Sequence, residues 1–217
     1  TLYMEDKDLH DQISSIKNIM ERSTKFISLS GLSGVMAGIY ALIGAGLAYE
    51  IIPADIVLTP EPNRGLFNVY SIGFISELAA IALAVLVLSI ATGFLLTIKK
   101  AHRAKHTVWN QSSRALLKNG LVPLLSGGFF ILMLLSHGYY SLISASCLIF
   151  YGLSLIAASQ YTYSDVKWLG VSEIILGMLA LLLPGLGLVF WALGFGVMHI
   201  LYGTVMYFKY DRENSAD

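Results

Sequence analysis

The chain reads as an all-α integral membrane protein, with six transmembrane helices arranged as three tandem helical hairpins in an N-in/C-in topology. Three observations predict this. Apolar residues make up 56% of the 217 and charged residues only 13%, with a mean hydropathy of +0.69, a composition whose main solvent is lipid. Six apolar stretches reach or approach the roughly 20 residues a helix needs to cross hydrocarbon: 26–48, 71–98, 119–136, 140–159, 168–186 and 187–208. Thirteen of the fourteen lysines and arginines fall on alternate connections, which assigns that side to the cytoplasm; only Arg64 lies on the other.

Taken in order, residues 1–25 carry Leu9, Ile13, Ile16 and Met20 at spacings of four, three and four, the stripe of a cytoplasmic amphipathic helix. Its apolar face needs the membrane surface, a loop of its own protein, or another chain. The polar, charged start lacks a cleavable signal pattern, so the first span is expected to act as a signal anchor. The six-helix domain covers 26–208. Its first hairpin encloses a long external loop, 49–70, with Pro53, Pro60 and Pro62. The cytoplasmic loop 99–118 holds six basic residues and no acid. Topology suffices to explain it, and Lys99, Lys100, Arg103 and Lys105 form a patch suited to anionic lipid or a partner. The second hairpin turns at "SHGYYS" (136–141) and the third at "LLPGLG", where Pro184 and Gly185 allow a tight reversal. Residues 209–217 are a cytoplasmic tail.

Glycine recurs seven residues apart in each odd-numbered span: Gly31 and Gly38, Gly120 and Gly127, Gly170 and Gly177. Two turns of helix put each pair on one face, where a neighbouring helix can approach closely. The even spans echo one another with Thr92-Gly93, Tyr151-Gly152 and Tyr202-Gly203 near their cytoplasmic ends. The repeats share one orientation, which predicts a pseudo-threefold axis along the membrane normal.

The third hairpin, "LGVSEIILGMLALLLPGLGLVFWALGFGVMHILYG", with Gly170, Gly177, Pro184, Gly196 and Gly203 spaced through it, resembles the hairpin unit of HdeD-type acid-resistance membrane proteins. The second matches in part and the first only through Gly31 and Gly38. The whole chain is similar to uncharacterised six-helix membrane proteins common in Bacteroidetes, in its "ERSTKFISLSG" lead-in and its "YFKY" end. These resemblances imply a bacterial inner-membrane protein with a role in acid or envelope stress, a homo-oligomer among its states, and no catalytic residue to transfer.

Two ionisable residues interrupt the third hairpin. Glu173 lies eleven residues before Pro184 and His199 fifteen after it, so both sit roughly 17–21 Å from the outer turn at about 1.5 Å per residue. They share a depth on adjacent antiparallel helices. An ionised carboxylate in lipid costs several kcal/mol unless it is paired, protonated or facing a cavity. Glu173 and His199 therefore form either a proton-responsive couple or a neutral pair that fixes packing, unless Glu173 reaches water and Lys167. The second hairpin has Pro123 and Leu148 in the corresponding places, so the scaffold does not require the pair. Glu77, about two turns inside the outer end of the second span, is a third intramembrane candidate, with an interfacial position or a pairing with Arg64 as the simpler reading.

Other classes find little footing. "GLSG" (31–34) contains a serine, Ser33, but it lies near the cytoplasmic end and His199 toward mid-membrane, beyond the reach a nucleophile and base need. No phosphate loop, paired-histidine motif or acidic cluster is present, so no metal, cofactor or enzyme activity is expected. One cysteine, Cys147, excludes an intrachain disulfide, and zero formal net charge argues for no nucleic acid. Membrane lipids are the expected partners. The functional expectations are a stress-response membrane protein without a catalytic site, a small proton-coupled transporter or channel using Glu173 and His199, or an adaptor holding a soluble partner on its cytoplasmic face.

Overall fold

The computed structural model describes residues 25–26, 29–52, 72–103, 107–183 and 185–212. They form six long helices: α1 Gly31–Ile51, α2 Ile72–Arg103, α3 Gln111–Ser136, α4 Ile143–Ser159, α5 Asp165–Leu182 and α6, continuous from Gly187 to Asp211. The amphipathic stretch 1–24, most of the external loop and Lys105 lie outside the described residues.

Five of the six are long and apolar enough to cross a membrane. The sixth, α5, has eighteen residues but includes Asp165, Lys167 and Glu173. That departure marks the helix that carries the buried acid. The reversals fall where small residues permit them: Gly138 and Gly185 have φ of 78° and 93°, a left-handed conformation that a side chain would strain.

Helices α2 and α3 run past the apolar stretches that announce them. Helix α2 continues to Arg103, and α3 begins at Gln111 because Asn110 and Ser113 form a capping box. The Asn110 side chain accepts from the Ser113 N–H at 2.8 Å and Ser113 Oγ accepts from the Asn110 N–H at 2.9 Å, satisfying two donors at the helix start.

Neighbours within each hairpin pack together, and two further seams join the hairpins, α4 against α5 and α1 against α6. Glycine makes both seams. A Cβ on Gly152 would lie 2.5 Å from the Gly170 carbonyl, and one on Gly170 would lie 2.7 Å from that of Gly152. Gly31 and Gly203 are related in the same way, at 2.6 and 2.7 Å. The backbones touch, as in small-residue packing of membrane helices.

The third seam that a threefold ring would require is absent. Helix α2 packs against α1 and has no substantial contact with α3. The reason lies in α3, whose Gly120 faces Ser154 and Ala158 and whose Gly127 faces Phe150, all on its own hairpin partner α4. On α2 the nearest atom to a Gly93 Cβ is 4.0 Å away, so that glycine makes no close crossing. The bundle is a row open between α2 and α3 rather than a closed ring.

Candidate functional site

The helices bring Glu173 and His199 together, as their shared depth allows. Glu173 projects from α5 with no exposed surface, and His199 from α6 with 6% exposed. The seams that press α5 onto α4 and α6 onto α1 fix both helices in rotation. Oε1 of Glu173 lies 3.4 Å from Nδ1 of His199, close enough for charge attraction and too long for a good hydrogen bond. Neither carboxylate oxygen has a hydrogen-bond partner.

A third group joins them from α4. The Tyr151 hydroxyl lies 2.9 Å from His199 Nε2. On the other side of the ring, Nδ1 lies 3.0 Å from the Gly194 carbonyl. A carbonyl can only accept, so Nδ1 carries the hydrogen and donates it there. In the neutral ring Nε2 then accepts from the Tyr151 O–H; in the imidazolium it donates to the hydroxyl oxygen. The chain Tyr151–His199–Glu173 thus has one open end, the carboxylate.

The local backbone supports this. Residues Ala192–Met198 of α6 form a π-helical turn, and His199 follows it directly. Such turns insert an extra residue into an α-helix and gather at functional sites. A side chain on Gly194 would collide with the Glu173 carboxylate and with Leu148, so the glycine lets α6 close over the acid. Leu148 is fully buried, and the Phe195 ring lies between Trp191, at 5.2 Å, and Tyr151, at 5.1 Å, tilted against both. The walls are apolar.

In such surroundings an unpartnered carboxylate anion costs several kcal/mol, whereas a carboxylic acid costs far less. The arrangement therefore sets the carboxyl beside an imidazole N–H, 3.4 Å away, that can donate to its ionised form.

The other sequence candidates lie elsewhere. Glu77 is exposed in the second turn of α2 and is not brought to the pair. Lys99 and Arg103 are exposed, but Lys100 turns inward. Its Nζ donates to the Leu29 carbonyl at 2.8 Å, to Tyr163 Oη at 3.1 Å and to Asp211 Oδ1 at 2.6 Å. The other oxygen of Asp211 accepts from the Gly31 N–H at 3.0 Å and from Ser30 Oγ at 3.1 Å, so the end of α6 caps the start of α1. Beside it, Asp165 accepts from Lys209 at 2.8 Å and Tyr210 at 2.7 Å. Partial burial opposes its charge, but the hydrogen bonds from Lys209 and Tyr210, with the lysine charge, prevail and hold the carboxyl below its ordinary value. Among the described residues no group of three or more His, Cys, Asp or Glu could hold a metal ion.

Tyr151 was legible only as a marker of the glycine repeat; a tyrosine hydroxyl in mid-span is a polar group that must find a partner, and that was the available signal. No protein-family profile matches the chain, and no curated protein or solved structure matches it. Fold and site together define a class, a multi-pass, all-helical membrane protein with a buried acid–imidazole–phenol site. The resemblances to HdeD-type and Bacteroidetes proteins receive no support from these comparisons.

Proposed function

We propose that this protein is a small proton-coupled transporter or channel in which Glu173 is the proton-exchanging group and His199 the donor that faces it. One observation carries the reading. Glu173 is wholly buried with both oxygens unpartnered, although a donor-bearing imidazole stands 3.4 Å away. A packing role would favour the opposite arrangement, because a buried structural carboxylate gains stability by accepting hydrogen bonds.

The lysine and arginine asymmetry supports an orientation with the Lys100–Asp211 end in the cytoplasm and both termini inside. That asymmetry also fits a bacterial inner membrane. The proposed role is non-enzymatic.

The test is ion flux into liposomes loaded with a pH-sensitive dye, comparing the wild type with Glu173→Gln at matched reconstitution. Proton flux that the substitution removes supports the proposal. Equal flux in both proteins, or none from about pH 5 to pH 8, overturns it. A sodium or potassium gradient in place of the proton gradient distinguishes proton movement from carriage of another cation by the same carboxylate.

A further inference from the structure

The His199 ring presents one hydrogen at Nδ1 to two acceptors. The Gly194 carbonyl holds it at 3.0 Å, and Glu173 Oε1 waits at 3.4 Å. Both acceptors meet at the π-turn. Gly194 is its third residue and lies against the Glu173 carboxylate with no side chain between them.

We infer that the π-turn Ala192–Met198 is the moving part of the site, set by the proton on Glu173, which decides whether the Gly194 carbonyl or the Glu173 carboxylate holds the His199 Nδ1–H. This rests on the proposed proton exchange at Glu173 and assigns its regulation. With Glu173 neutral, its carboxyl is a weak acceptor and the N–H stays on Gly194. When the carboxyl gives up its proton to the transport path, the carboxylate becomes the stronger acceptor, because hydrogen bonds to ionised oxygens are shorter and roughly twice as strong. The N–H then moves to Oε1 and no covalent bond changes in the imidazole. The Gly194 carbonyl loses the contact that pins it, and the turn can tighten toward α geometry.

Tightening by one residue rotates one side of α6 against the other by about 100° and shifts it by about 1.5 Å. The amino-terminal side, Gly187–Trp191, is short and follows a glycine-containing turn, whereas the carboxy-terminal side is locked to α1 at Gly203 and Asp211. The amino-terminal side is held by side-chain packing, with Phe190 in a core cluster with Ala145, Leu148 and Ala180, so it is the side that turns by repacking Phe190, and Trp191 reports on it through its contact with Phe195.

The charged and titratable surroundings are few. Tyr151 faces His199 from α4, Glu173 from α5, and α1 meets the His199 backbone through Gly34. Of the ionisable side chains on α1, Tyr40 pairs with Thr92, and Tyr49 and Glu50 are exposed in its last turn. A transition at this site that Glu173→Gln removes belongs to Glu173.

The experiment follows Trp191 emission against pH in a Trp109→Phe/Trp168→Phe background reconstituted in neutral lipid, with hydrogen exchange of 192–206, corrected for intrinsic rate, as a second readout. The expected result is one reversible transition in both. Glu173→Gln should abolish it and leave the protein in its low-pH state. Glu173→Asp retains a charge but withdraws it by about 1.5 Å, one C–C bond, and should also abolish it. A transition that survives in Glu173→Gln, or no transition in the parent, overturns the inference. A transition that survives in Glu173→Asp reports a field effect at Trp191 without acceptor exchange, and also overturns it. The two proposals fail separately: a transition without flux removes the transporter and leaves the switch, and flux without a transition leaves a conducting site beside a rigid turn.

Discussion

Two of the acid–base contacts among the described residues, Asp211 with Lys100 and Glu173 with His199, are built in opposite ways. At one end of the bundle Asp211 is saturated: Lys100 on one oxygen, Ser30 and the Gly31 amide on the other, with 10% of its side chain exposed. In mid-membrane Glu173 is more deeply buried and has no hydrogen bond at all. Burial alone does not separate function from structure here. The state of the oxygens is what differs: a proton added to a saturated carboxylate displaces a donor, whereas one added to a bare carboxylate breaks no hydrogen bond.

Substitution can break or sharpen this contrast. The largest expected effect is that Glu173→Gln lowers proton flux by at least about ten-fold. The same variant should leave thermal stability unchanged or raise it, because a neutral amide replaces an unpaired acid. Marked destabilisation without loss of flux would make Glu173 a structural residue like Asp211. The reverse outcome is expected of Asp211→Asn, which should cost about 2–4 kcal/mol in a denaturation assay, since it leaves the mostly buried Lys100 ammonium without its counter-ion.

Smaller effects should follow at the partners. Tyr151→Phe removes one hydrogen bond to His199 Nε2, worth about 0.5–1.5 kcal/mol, and should lower flux about two- to twelve-fold while the fold persists. Asp165→Asn should cost under about 1 kcal/mol, because its partner Lys209 is 52% exposed and the pair is screened by water. Its pH dependence has a definite sign. The folded carboxyl sits below its ordinary value, so its contribution is complete above about pH 4 and is lost as pH falls through the folded value. A melting series from neutral to acid pH, compared between wild type and Asp165→Asn, should converge at the acid end.

Much of the fold was legible because membrane helices announce themselves by length and apolar content, and the depth of Glu173 and His199 because depth is a residue count from a turn. Rotation is not a count, so the meeting of the two side chains needed the glycine seams that orient α5 and α6. Tyr151 comes from another hairpin, and no local spacing connects it to His199. The π-turn escaped because Gly194 and Gly196 fit a packing pattern equally well, and an extra residue in a helix leaves no periodic trace over seven positions. Lys100 was grouped with its basic neighbours, although its inward turn depends on Asp211, 111 residues away. The threefold ring failed because the glycine spacing sets which face is small but not which helix will cover it.

The central claim is that Glu173 takes and gives a proton inside the membrane. Infrared difference spectra between acidic and alkaline pH, recorded on reconstituted wild type and Glu173→Gln, test it most directly. The account predicts a carbonyl band of a protonated carboxyl, present at acidic pH, lost at alkaline pH and absent from the variant. A spectrum identical in the two proteins would contradict it, and would make Glu173 a structural residue.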